Sequence, residues 1–170
     1  MDKQMSYRET VIARYADGPN QLEAEIAGLS EGELDLAESD GAWTIRQIVH
    51  HLVDGDDLWK MFIKRAIGSP GGQFDLQWYW ELPQVEWAKS WAYASRAIGP
   101  SLALFRANRD QVVQLLEQIP DIWERSLLVR WPNGKEQEVK VGWVVKMQAK
   151  HLTGHIEDIH RALQTRGEFE

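Results

Sequence analysis

Four stretches of this chain repeat apolar residues at helical spacing, and clusters of glycine and proline separate them. That pattern restricts the fold to packed helices. The first stretch, Tyr7 to Leu29, carries Leu22, Ile26 and Leu29 at i, i+4 and i+7, with Gly18-Pro19 expected to break or kink it. Ser30-Glu31-Gly32-Glu33 has the form of a cap for a short turn running to Leu36. A second helix is expected from Thr44 to Ile67. Its start is a Thr-x-x-Gln capping box with Trp43 and Ile48 at the two positions of a hydrophobic staple. Gly68-Ser69-Pro70-Gly71-Gly72 ends it.

Gln73 to Pro83 reads as a loop rich in aromatics: Phe74, Trp78, Tyr79 and Trp80. A third helical region runs from Gln84 to Ile119. Gly99-Pro100 divides it or marks the start of its main part, and Pro120 ends it. The period then changes. Leu127 to Trp131 and Glu136 to Val141 flank Pro132-Asn133-Gly134, which suits a β-hairpin. The last helix is expected from Gly142 to Thr165. The sum is an all-α, antiparallel four-helix bundle with a small β-hairpin before the last helix, taken as a single domain over residues 1–170.

The composition removes several function classes. There is no cysteine, so no disulfide, thiolate metal site or protein thiol nucleophile is available. The formal net charge of −7 and the absence of a basic run argue against nucleic acid as a partner. No run of about 18 apolar residues suggests a membrane span, and Met1 to Ser6 lacks a basic-then-apolar leader. The expectation is a cytoplasmic protein. Nine tryptophans should lie mostly in core or interface. The group at Trp78, Tyr79 and Trp80 reads as core, dimer contact, partner surface or the wall of a ligand cleft.

All five histidines fall on two of the expected helices. His151 and His155 are four apart, about 40° around a helix and ~6 Å along it, so both rings can reach one ion. They border the apolar rows of the last helix. On the second helix His51 shares an inward row with Ile48, Leu58 and Phe62; His50 lies about 100° away and is the poorer ligand. His160 reads as a surface residue. Three imidazoles from two helices would leave coordination positions for water or substrate, as a catalytic site requires. Zn, Ni, Mn and Fe all accept imidazole and are not distinguished. Asp54 and Asp158, each three residues after a candidate ligand, could orient an imidazole or join the set; each could equally be a solvated carboxylate. Buried, hydrogen-bonded neutral histidines are the alternative to a metal site.

Gly41-Ala42-Trp43-Thr44-Ile45-Arg46-Gln47-Ile48-Val49-His50-His51-Leu52-Val53-Asp54 resembles the second-helix signature of the DinB superfamily, in particular its YfiT-like branch. Lys150-His151-Leu152-Thr153-Gly154-His155-Ile156 resembles that superfamily's final-helix His-x-x-x-His. The similarity spans Tyr7 to Arg166. It implies a four-helix bundle, a homodimer, and a divalent metal held by His51, His151 and His155. Many members carry Arg-Gly-Gln after the last histidine; here Ile156-Glu157-Asp158 follows. The resemblance implies a metal-dependent enzyme acting on a small molecule, either a hydrolase or a transferase using an external low-molecular-weight thiol as cosubstrate. The alternative is a non-catalytic metal-binding or stress-related interaction protein on the same bundle.

Overall fold

The structure, a computed structural model, describes residues 5–167. Residues 1–4, part of the segment read above for a leader, lie outside the described residues, as do residues 168–170.

Four long helices form the bundle: α1 (Tyr7–Ile26), α3 (Ile45–Gly68), α6 (Gly99–Gln118) and α7 (Val141–Gln164). A short α2 (Glu31–Leu34) follows α1. The capping signals act as expected. Gln47 N–H donates to Thr44 Oγ1 at 3.3 Å while Thr44 N–H donates to Gln47 Oε1 at 2.9 Å. Ser30 and Glu33 form the same reciprocal pair at the head of α2. No helix among the described residues is long and apolar enough to cross a membrane.

Each long helix packs against two others: α1 against α6 and α7, and α3 against α6 and α7. Side-chain contacts fix the directions. Along the α3–α7 seam, His51 meets His155, Gly55 meets Gln148 and Trp59 meets Trp143, so these helices run antiparallel. Arg8, Tyr15 and Asn20 meet Leu116, Arg109 and Arg106, so α1 and α6 are antiparallel too. The other two neighbouring pairs are parallel. His50 meets Ser101 and Asp56 meets Arg109 between α3 and α6; Tyr7 meets Lys146 and Glu25 meets His160 between α1 and α7. The bundle expected from the apolar rows is present, with long crossings that let two pairs run in the same direction.

Residues 69–98 make one of those crossings, and they hold more structure than a loop. β1 (Gln73–Asp75) pairs in parallel with β2 (Ser126–Arg130), which pairs antiparallel with β3 (Glu136–Lys140). The expected hairpin has thus gained a third strand, because Phe74 is buried and the free edge of β2 accepts a partner. Its connection spans Trp131 to Lys135, and Gly134 alone takes the left-handed conformation there, with φ 78°. Two short helices follow β1: α4 (Gln77–Trp80) and α5 (Gln84–Ser90). The third helical region is therefore interrupted well before Gly99, where Ala92 adopts φ 54°.

Pro19 sits inside an uninterrupted α1. It cannot donate to the carbonyl of Tyr15, four residues earlier. Arg109 Nη1 donates to that carbonyl instead, at 3.0 Å. Arg109 is fully buried, paired with Asp56 at 2.7 Å, and stacked between the rings of Tyr15 and Phe105. The break anticipated at Gly18-Pro19 is thereby repaired by a side chain from α6.

Candidate metal centre

The capping box fixes the start of α3, and His51 lies about two turns in. At that level α3 faces α7, where His151 and His155 occupy one face of successive turns. His51 Nε2 and His151 Nε2 lie 3.2 Å apart, and His155 Nε2 and His151 Nε2 3.1 Å apart. One nitrogen from each residue falls within 4.8 Å of the others. Gly55, one turn after His51, faces the same site: a Cβ on it would make ordinary van der Waals contact with His151 Cε1 at 4.0 Å. The ring of Trp43 packs edge-on against His51 at 4.5 Å.

Asp158 is placed as a sequence neighbour of His155 should be. Its Oδ2 accepts from His155 Nδ1 at 2.8 Å, and Arg161 holds the same carboxylate while pairing with Glu38 at 3.0 Å. An ionised carboxylate only accepts, so the proton of neutral His155 sits on Nδ1 and leaves the Nε2 lone pair facing the other two rings. Asp54 goes elsewhere: its Oδ2 accepts from Tyr93 Oη at 2.6 Å, with Arg96 3.8 Å away. His50 is fully buried, bonded to Ser101 Oγ at 2.8 Å and to the Arg96 carbonyl at 3.2 Å. It is a satisfied core histidine. His160 pairs with Glu25 on the surface.

Burial, reinforced by the neighbouring rings, pushes His51 down to about 3. Burial and then His155 push His151 down to about 4. Burial also lowers His155, partly offset by Asp158. All three are therefore neutral at pH 7 and offer lone pairs. One proton shared among three such nitrogens can satisfy a single pair, whereas a cation satisfies all three. An ion ~2.1 Å from each nitrogen would set them about 3.0 Å apart in octahedral geometry and about 3.4 Å apart in tetrahedral. The two observed separations lie between those values, so the residues fit a divalent ion.

A groove of about 710 Å³ runs along the outer face of α7 past His151 and His155. Trp143, Met147, Lys146, Lys150 and Glu157 line it. A sequence model of the DinB superfamily matches residues 14–159. The chain belongs to the DinB superfamily. Among DinB relatives, a protein of Geobacillus thermodenitrificans named "Putative metal-dependent hydrolase" is 28% identical over 156 residues, covering 92% of this chain and 84% of that protein. A similarly named protein of Geobacillus kaustophilus is 25% identical over the same shares. Among solved structures, YfiT of Bacillus subtilis, described as a probable metal-dependent hydrolase with an unusual four-helix bundle topology, superposes with a TM-score of 0.81 at 19% identity. The match covers 98% of this chain and 93% of that one. A mycothiol-dependent maleylpyruvate isomerase matches with a TM-score of 0.67 at 13% identity over 91% of this chain and 61% of its own. These two likenesses establish the shared fold.

Gln148 escaped the sequence reading. It lies in the inward face of α7, one turn before His151, and is buried to 2% exposure. A polar residue between Val145 and Leu152 in an apolar row was the available signal.

Proposed function

We propose that this protein is a metal-dependent hydrolase in which His51, His151 and His155 hold one divalent ion. The observation that carries the reading is the meeting of three neutral imidazole nitrogens from two helices beside an open groove. The names of the DinB relatives favour the same chemistry. Such an ion supplies Lewis-acid chemistry: it acidifies a water or a thiol and polarises a carbonyl. Asp158 orients His155 and fixes its tautomer through Nδ1. The groove wall presents both signs of charge to a small-molecule substrate, Lys146, Lys150 and Arg161 beside Glu157 and Asp158.

A thiol-dependent transferase is the second reading, and one observation favours it. Two of the three nearby carboxylates are engaged, Asp158 with His155 and Arg161 and Asp54 with Tyr93, which leaves Glu157 in the groove wall as the one without such a role among those named. A thiol cosubstrate, with an ordinary pKa of about 8.5, has less need of a base.

Metal content measured after purification without a histidine tag tests the site. We expect one ion per chain, lost in His151→Ala. Turnover of ester or amide substrates without thiol then supports the hydrolase, and turnover of electrophiles only with added thiol supports the transferase. A full metal content in His151→Ala overturns the assignment and favours a non-catalytic protein.

A further inference from the structure

Between His151 and His155, α7 carries a glycine. Gly154 stands in the interior of a long helix, where glycine is destabilising relative to alanine. Two structural needs ordinarily account for such a residue, and neither applies here. Its backbone is helical, with no left-handed φ. No atom from elsewhere in the fold lies within 4 Å of the position a Cβ would take. Gly18 and Gly142 show the contrast, since a Cβ at those positions would run into the Arg109 guanidinium and the Trp123 ring. Close packing requires glycine there and does not require it at Gly154.

The missing side chain leaves space beside the candidate metal centre. Gly154 lies in the wall of the 710 Å³ groove with His151 and His155. Around the helix it is about 60° from His151 and about 100° from His155, so it floors the gap through which the groove reaches the two rings. Met147 and Trp143 line the same groove. At seven and eleven residues before Gly154 they fall within about 40° of one another and of the glycine. The three make an apolar strip about 16 Å long, flanked by His151 on one side and Lys150 on the other. Trp143 at its far end is 46% exposed, and its ring meets those of Trp59 and Trp131 at 6.3 Å. In the opposite direction the groove ends on the paired charges of Asp158 and Arg161.

We infer that the substrate is a carbonyl compound with an extended apolar arm, which crosses Gly154 and lies against Met147 and Trp143 while the carbonyl faces the three histidines. The inference rests on the reading that those histidines hold the reactive ion. Gly154 is on this account a specificity-determining residue: any larger side chain would fill the gap between the ion and the strip. Burial of the arm on the strip favours long substrates over short ones.

Acetohydroxamate and octanohydroxamate test the inference, because they share a zinc-binding head and differ in the arm. Calorimetry on the zinc-loaded protein measures their affinities, and the indole N–H resonance of Trp143 reports where the arm lies. We expect octanohydroxamate to bind at least ten-fold more tightly and to shift that resonance, which acetohydroxamate leaves in place. In Gly154→Leu the advantage should vanish, with acetohydroxamate still bound and zinc stoichiometry unchanged. Leucine is a good helix former and this position is open, so the fold should hold. Equal binding of the two probes to the unaltered protein overturns the inference without recourse to a variant. So does an advantage that survives Gly154→Leu, including the case in which the variant changes sedimentation mass and the glycine serves a contact between copies. Should leucine disturb the fold, an undiminished advantage in Gly154→Ala has the same force. Zinc stoichiometry separates the two readings: a chain that binds no zinc defeats the metal centre, whereas full zinc without the octanoyl advantage defeats this inference alone.

Discussion

Three imidazoles packed nitrogen to nitrogen resist protonation, and that resistance has a measurable consequence. In the unfolded chain each histidine titrates near 6.5. In the folded protein burial holds His51 near 3 and His151 near 4. As pH falls from about 6.5 toward 4, the unfolded chain takes up protons that the folded one refuses, so folding stability must fall through that window. Urea unfolding of chelator-treated protein should show it, with the slope reduced in His51→Ala; a stability flat between pH 7 and pH 4 would contradict the burial argument. Asp158 adds a second expectation. Asp158→Ala frees His155 to rotate and removes the acceptor that fixes its tautomer, so metal affinity should drop about 10- to 100-fold without loss of the fold. Competition with a chelating dye measures it. That His51, His151 and His155 would turn inward together was legible in the sequence, because four-residue spacing and an apolar row are local properties of a helix. The same rule separated His51 from His50. The destination of Asp54 was not legible, because its partner Tyr93 lies beyond a crossing whose path no local pattern specifies.

At the scale of the element, α1 shows how a helix can carry residues that should break it. Gly18 and Pro19 make a notch, and the Arg109 guanidinium fills it. In most exposed helices a glycine-to-alanine change is stabilising by up to about 1 kcal/mol. At Gly18 the added Cβ would stand 2.0 Å from Arg109 Nη1 and 2.9 Å from Leu152 Cδ2. Arg109 cannot swing aside, because it bonds Asp56 and the carbonyls of Tyr15 and Gln148 in a fully buried setting. Gly18→Ala should therefore destabilise by about 1–3 kcal/mol, the range typical of overpacked cores. Gly154, in α7, has nothing within 4 Å of its would-be Cβ, and Gly154→Ala should raise stability. Opposite signs for the two changes in thermal melts are the expected outcome; equal signs would remove the notch argument. Sequence reading placed the proline correctly and anticipated a break. The compensating arginine is 90 residues away in the chain and became visible only once α6 was packed. The caps of α2 and α3, which involve neighbours three residues apart, were legible in full.

For the whole molecule, the deciding fact is that the candidate ligands bridge two helices that the chain visits far apart. His51 lies in α3 and His151 and His155 in α7, and the two helices meet along an antiparallel seam. Apolar rows predicted that a bundle would form, yet they carry no information on which helices become neighbours or in which direction they run. That information resides in the crossings. Residues 69–98 are long enough, and structured enough by β1, α4 and α5, to return the chain so that α6 runs parallel to α3. An ion bound at the seam would tie α3 to α7 only in the folded state, because unfolding separates the two helices' donors. It must then stabilise the fold by mass action, by about 2.7 kcal/mol when free metal stands at 100 times Kd. For a chain of this length 1 kcal/mol moves the melting midpoint by roughly 2–4 °C, so saturating zinc should raise Tm by about 5–10 °C. His151→Ala should lose most of that shift while keeping its helical signal. The shift should also grow with the logarithm of metal concentration, which distinguishes a linked site from non-specific binding. A zinc-induced rise of the same size in His151→Ala would mean that the ion binds elsewhere, and the seam would lose its claim to be the metal centre.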